Sequence, residues 1–161
     1  MNRWRLLRSP VHFFSLGGGL GLMPFAPGTF GTLPGFALAG LARGLAVPLQ
    51  ALLIALLVML GIRTATLSAR ALQVADPGAV VCDEFVAFAG LLLCLPVALS
   101  AQVWAFLLFR LFDAVKPFPV SWADRHVHGG LGIMLDDVLA AILAGLVYLG
   151  LRWLHLPGGP M

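Results

Sequence analysis

Charge is what this sequence has least of. Only 11% of its 161 residues are Asp, Glu, Lys or Arg, where an average soluble domain carries about 25%. There is one lysine, Lys116, and the seven carboxylates avoid both ends, none preceding Asp76 and none following Asp137. Cysteine is nearly absent as well. Cys82 and Cys94 form neither a disulfide framework nor a metal spacing, and in apolar surroundings they read as small buried hydrophobes. No basic run with interleaved aromatics occurs, so nucleic acid is not an expected partner. No cysteine is followed six residues later by arginine, no two aspartates stand as D-x-D, and there is no HExxH. These absences exclude the Cys-x5-Arg loop, the usual aspartyl-phosphate motif and a zinc hydrolase. The glycines near the N-terminus make neither GxGxxG nor GxxxxGK[ST].

What is present is apolar. Hydrophobic residues make up 60% of the chain, and the mean hydropathy is +0.98. A soluble protein with an exceptionally apolar core would need more polar surface than this, so a membrane protein of one domain, residues 1–161, is expected. The start, "MNRWRLLRSPVHFFSLGGGLGLM", has the basic opening of a signal peptide. Ser15 and Gly17–Gly19 break its apolar core and no clean cleavage site follows, so it is expected to stay on the chain.

Apolar runs fall at about 33–47, 48–62, 85–99, 101–112 and 138–154, with Pro48 and Pro96 between members of a pair. Each is shorter than the ~20 residues of an upright span. The fold class expected is therefore all-α, a polytopic membrane bundle of about four to five short helices with cytoplasmic active-site loops. With five crossings, Arg3, Arg5, Arg8, Arg63, Arg70, Arg110, Lys116 and Arg125 share one side, which the positive-inside rule makes cytoplasmic. Arg43 and Arg152 lie elsewhere.

All seven acids, Asp76, Asp83, Glu84, Asp113, Asp124, Asp136 and Asp137, then lie in or beside the two cytoplasmic loops, 63–84 and 113–137. "VVCDEFVAF" places Asp83 and Glu84 at the mouth of a helix. "IMLDDVLAA" does the same for Asp136 and Asp137. Carboxylates favour a helix start, so capping explains either pair. Doubled acids at two such starts facing one interface call for more. In "FRLFDAVKPFPVSWADRHVHGG", Arg110, Asp113 and Lys116 stand at i, i+3 and i+6, near enough to one helix face for mutual ion pairs. Ionisable groups at the end of a membrane helix also line cavities and pathways.

Carboxylates supply the hard oxygens that Mg²⁺ takes one or two at a time while keeping waters. Arg110, Lys116 and Arg125 complement a phosphate. The combination reads as phosphoryl chemistry: Mg²⁺-assisted attack by water or by a carboxylate on a phosphomonoester at a membrane surface. In "GLGLMPFAPGTFGTLPG", the glycines could form a backbone nest with Thr29 donating to a phosphate, but on physics alone an ordinary turn with Thr29 or Thr32 as N-cap accounts for the stretch better. His126 and His128 lie in the glycine-rich loop within reach of such a site, and His12 and His155 read as interfacial side chains. A polytopic ion carrier is the alternative from another class, but it would place acids within spans and not at their mouths. A non-catalytic membrane subunit would not need cations interleaved with acids.

Three blocks, "PFAPGTFGTLPG", "DPGAVVCDEFVAFAG" and "FRLFDAVKPFPVSWADRHVHGGLGIMLDDVLAAI", resemble the signature blocks of the phosphatidylglycerophosphatase A family, in the same order and over roughly residues 17–145. The third, FD-x-x-KP-x-P followed by GG-x-GIM-x-DD, is the most specific. The resemblance implies a Mg²⁺-dependent enzyme of the bacterial inner membrane, multi-pass and with its site facing the cytoplasm. It would remove the terminal phosphate of phosphatidylglycerophosphate, an anionic phospholipid. A phosphatase of another lipid phosphate, phosphatidate or polyprenyl phosphate, is the alternative within that class. On this reading Asp83, Glu84, Asp113, Asp136 and Asp137 surround the metal, with Asp83, Asp136 and Asp137 as candidates for the chemistry itself. Thr29, Arg110, Lys116 and Arg125 meet the phosphate. Asp76, Asp124 and His128 are second choices. Neighbours on a helix point about 100° apart, so one member of each doublet at most should ligate a given ion.

Overall fold

The computed structural model describes residues 3–154; His155 lies outside them. Among these residues there are helices and no strands. After a 3₁₀ turn at Arg3–Arg8 come α1 (Pro10–Ser15), a second 3₁₀ stretch at Gly17–Leu22, α2 (Pro27–Thr32), α3 (Pro34–Ala42) and α4 (Val47–Leu72). They are followed by α5 (Cys82–Leu93), α6 (Leu99–Val115), α7 (Val120–His126) and α8 (Gly129–Trp153).

Helix α5 is the axis of the molecule. Nine of its residues are buried, around its whole circumference, as expected of a helix that is hydrophobic on every side. Helices α3, α4 and α8 pack around it, and α6 and α7 pack on α8. Phe88, Phe109 and Tyr148, all fully buried, anchor one part of the core. Cys82, Val86 and Met134 anchor the other. The two ends of α5 are chemically opposite. Asp83 and Glu84 occupy its first turn, while Arg43 donates to the carbonyls of Leu92 (2.7 Å) and Leu95 (3.3 Å) at its last. Negative charge at the N-terminus and positive at the C-terminus both favour the helix dipole.

Two helices, α4 and α8, are long and apolar enough to cross a membrane. Leu49, Leu52, Leu56 and Met59 of α4 are all more than half exposed, a continuous apolar face of the kind that requires a non-aqueous neighbour. The runs expected at 33–47 and 48–62 resolve into a nine-residue α3 and a 26-residue α4. Helix α4 continues through Arg63 and Arg70, both exposed on its surface, and ends where Gln73 turns left-handed. The loop expected at 63–84 therefore begins only after Leu72.

The larger correction concerns α8. It starts at Gly129, not near Val138, so Asp136 and Asp137 sit two turns inside the helix and cap nothing. Glycine makes that start possible by close approach. A Cβ on Gly130 would collide with the Ile62 carbonyl of α4, and one on Gly132 with the Val127 carbonyl. Gly130 N–H instead donates to Thr66 Oγ1 at 3.2 Å.

Candidate active site

The N-terminus of α5, the C-terminus of α6, the short α2 and the first turns of α8 meet at one end of the bundle. Each acid doublet splits there, as the 100° step of a helix demands. One member turns to a cation on α6 and the other goes to the centre.

Arg110 Nη1 reaches Asp113 Oδ2 at 2.8 Å and Glu84 Oε1 at 3.3 Å. Lys116 leaves α6 with φ +48° and pairs with Asp136 Oδ2 at 2.7 Å and with Asp124. Arg110 and Asp113 thus form the i, i+3 pair read from the sequence, but Lys116 does not join them. Its left-handed turn carries it to Asp124 and Asp136 instead. Asp113 lies in the last turn of α6, where a carboxylate opposes the helix dipole; Arg110 holds it there.

Asp83 and Asp137 form the centre. They are 8% and 3% exposed, and neither has an ion-pair partner among the described residues. Asp83 Oδ1 and Asp137 Oδ2 are buried without a hydrogen bond, as is Glu84 Oε2. Asp137 feels the charges of Asp83, Asp113, Asp136 and Glu84 together, so all five acids expected around a metal share one electrostatic environment. Burial, then the charges of Glu84 and Asp136, push the Asp83 carboxyl well above the usual range. Burial also raises Glu84 to about 7, against the opposing pull of Arg110. At Lys116 burial works against the charge, but the bonds to Asp124 and Asp136 outweigh it and hold the proton more tightly than in a free lysine.

Among the described residues, no three His, Cys, Asp or Glu side chains converge closely enough to grip a metal ion between them. The donor set nonetheless fits Mg²⁺, which keeps several waters and takes only one or two carboxylates directly. Orphaned buried carboxylate oxygens are the atoms such an ion would satisfy. Cys82 is not a rival nucleophile, because burial and then Asp83 push its thiol far up.

The backbone of α2 closes the cluster from above. A Cβ on Gly28 would overlap Glu84 Oε1, and one on Gly31 would overlap Glu84 Oε2. These two glycines were not among the expected site residues. Their signal was present in "PGTFGT", where a spacing of three puts both on one helix face. Thr29 is half-buried in the same turn, and its side chain has no hydrogen-bond partner among the described residues. Thr32 donates to the Gly28 carbonyl at 2.8 Å and lies 3.5 Å from Arg110 Nη1. Neither threonine is the N-cap, which is Ala26 at φ +44°.

Of the second choices, Asp76, Asp124 and His128 line a cleft of about 80 Å³ together with Asp136. Arg125 is exposed on α7 and makes no ion pair among the described residues, so none of them joins it to the cluster. His126 stacks on Trp122 with its Nδ1 2.8 Å from the Trp122 carbonyl. His12 is fixed to α4 through Ser68 Oγ at 2.7 Å.

Residues 13–152 match the sequence model of the family described as Phosphatidylglycerophosphatase A. Phosphatidylglycerophosphatase A of Escherichia coli is 37% identical over 150 residues, 91% of this chain and 87% of the relative. The protein of the same name from Haemophilus influenzae is 40% identical over 151 residues, 91% of each chain. No solved structure matches.

Proposed function

The chain belongs to the phosphatidylglycerophosphatase A family: it is a phosphatase that hydrolyses the phosphomonoester of phosphatidylglycerophosphate, and we propose that the Asp83–Asp137 centre is where it does so, with Mg²⁺ as cofactor. The observation that carries this reading is the pair of buried carboxylates without a cation. Burying an uncompensated charge is expensive, and a cation bound between two such groups on different helices would compensate both.

Asp83, Glu84, Asp136 and Asp137 would hold the ion, directly or through waters, with Asp113 behind Arg110. Bound there, Mg²⁺ would supply charge to the phosphoryl oxygens and acidify a water. Arg110 and Lys116 are held by carboxylates at the edge of the same cluster. From there they offset the charge that spreads over the phosphoryl oxygens as the bond to the leaving alcohol loosens. Asp83 or Asp137, whichever does not ligate, accepts the proton of the attacking water, or attacks the phosphorus itself to form an aspartyl phosphate that a water then hydrolyses. In the direct route the proton taken from the water passes to the leaving alkoxide; in the covalent route the alkoxide takes one from a protonated neighbour, which the hydrolytic water restores, giving phosphatidylglycerol and inorganic phosphate.

The apolar faces of α4 and α8 support a multi-pass protein, and the arginine distribution supports a site facing the cytoplasm of a bacterium. The deciding experiment is phosphate release from phosphatidylglycerophosphate by detergent-purified protein, with Mg²⁺, with chelator, and with Asp137→Asn. Release lost both to chelator and in the variant is expected. Release surviving both would mean that the site lies elsewhere, and release from phosphatidate in preference would replace the substrate.

A further inference from the structure

The faces of α5 and α8 that carry the two central acids do not end at the site. One helical turn deeper, at i+4, Asp83 is followed by Ala87 and Asp137 by Ala141; further along the same faces come Gly90, Leu91 and Cys94 on α5, and Gly145 and Leu149 on α8. With Ile54 and Val58 of α4 these residues line a groove of about 330 Å³ whose walls carry no Asp, Glu, Lys, Arg or His. Small residues create it: a Cβ on Gly145 would come within 3.2 Å of Leu91 Cδ1, and one on Gly90 within 3.5 Å of Ile54 Cγ2. It opens sideways along Ile142, Leu146 and Leu149, each more than half exposed.

Resting on the lipid-phosphatase reading, we propose that this groove seats one acyl chain of the phospholipid substrate and thereby sets its phosphate at Asp83 and Asp137. Three observations choose this occupant. The groove starts at Val138, the residue after Asp137, so a lipid whose phosphate reaches the acids must have its chain at the groove's mouth. From Val138 to Leu149 the helix advances roughly 16 Å, close to one leaflet, about half of the ~30 Å hydrocarbon core. The sideways opening faces where α4 and α8 would meet lipid, so a chain enters without leaving the bilayer. A second copy of this chain would instead need a flat, matching helix surface, and a recess that begins at buried carboxylates offers none.

The test compares dioleoyl phosphatidylglycerophosphate with the same headgroup on dihexanoyl chains, using wild type, Gly145→Leu and Ile142→Trp. Gly145→Leu fills the groove from its floor. Ile142→Trp fills it from an exposed position, where a larger side chain does not strain the core. Both variants are expected to raise KM for the dioleoyl substrate by about tenfold or more, from the lost burial of methylenes. Turnover of the dihexanoyl substrate should suffer much less than that of the dioleoyl substrate in Ile142→Trp, because a short chain fills little of the groove and the acids are untouched. Equal effects on both substrates in Ile142→Trp, no effect on either, or a change of oligomeric state without a change of chain selectivity would each overturn the proposal. A second readout does not depend on turnover. Phosphatidylglycerophosphate carrying a diazirine in its acyl chain should label peptides within 87–94 and 138–149 of the wild type, and Ile142→Trp should abolish the labelling. Labelling elsewhere overturns the groove even if phosphate is released. Labelling here without phosphate release would refute the phosphatase assignment and leave the groove standing.

Discussion

Lys116 Nζ lies 2.7 Å from Asp136 Oδ2, a bond made across two helices by a residue that has just left α6 in a left-handed turn. Asp136 is buried to 7% exposure, and its neutralising charge is Lys116, which it shares with Asp124. Replacing Lys116 by Met keeps the aliphatic stem and deletes the charge. Stability is expected to fall by about 1–3 kcal/mol, the range for a lost hydrogen bond to a charged group, and kcat by about 10²-fold as a positive neighbour of the reacting phosphate disappears. Thermal unfolding in detergent and steady-state kinetics check the two parts. Unchanged kcat would make Lys116 purely structural.

Glu84 sets a pH dependence. Its folded pKa is raised to about 7, so between its ordinary value and 7 the folded state binds more protons than the unfolded one. Stability therefore falls as pH rises through that window, and Asp83 acts in the same direction. In chelator, the protein is expected to melt at a higher temperature at pH 5.5 than at pH 8. Glu84→Gln should flatten the slope. Mg²⁺ should raise stability at pH 8 in particular, because a cation favours the ionised carboxylates. A melting temperature that climbs with pH in chelator would contradict the assignment.

The convergence of Asp83, Glu84, Asp113, Asp136 and Asp137 was legible because acids this rare in so apolar a chain cannot be scattered without cost. Their pairing was legible only at Arg110 and Asp113, which the i, i+3 spacing joins. Which cation serves which acid depends on the φ +48° turn at Lys116, and nothing in "DAVKPFP" states its direction beyond the proline stop. The start of α8 was hidden for a different reason. "GGLGIML" reads as a loop because glycine disfavours helix interiors, yet Gly130 and Gly132 are helical and needed for contact with Ile62 and Val127. Tertiary packing overrode propensity. Arg63 and Arg70 misled in the same way. They looked like loop residues but lie on the exposed face of α4.

The cations separate into two classes that kinetics can distinguish. Arg110 touches Glu84 and Asp113, whereas Arg125 is exposed and has no carboxylate partner among the described residues. Arg110→Ala is expected to lower kcat/KM by about 10²–10³-fold, the usual scale for removing one transition-state charge partner. Arg125→Ala should change it by no more than about threefold. Equal large losses would show that α7 brings Arg125 to the phosphate only when substrate is bound.

Gly130 tests whether the α4–α8 contact positions the aspartates. The helix start places Gly130 so close to α4 that a methyl group would overlap the Ile62 carbonyl and crowd Thr66, and backbone cannot yield as a flexible side chain can. Gly130→Ala is therefore expected to destabilise by about 2–3 kcal/mol or more, at or above the overpacking range. It should also lower kcat, because any outward shift of α8 carries Asp136 and Asp137 with it. Gly40 of α3 is the control. A Cβ there meets nothing within 4 Å, so Gly40→Ala should be neutral or stabilise by about 0.5–1 kcal/mol through helix propensity. Thermal melts and phosphate release on the same two preparations decide the matter. If Gly130→Ala lost stability yet kept full kcat, the acids would hold their places independently of α4, and the Arg110 and Lys116 pairs alone would have to fix them.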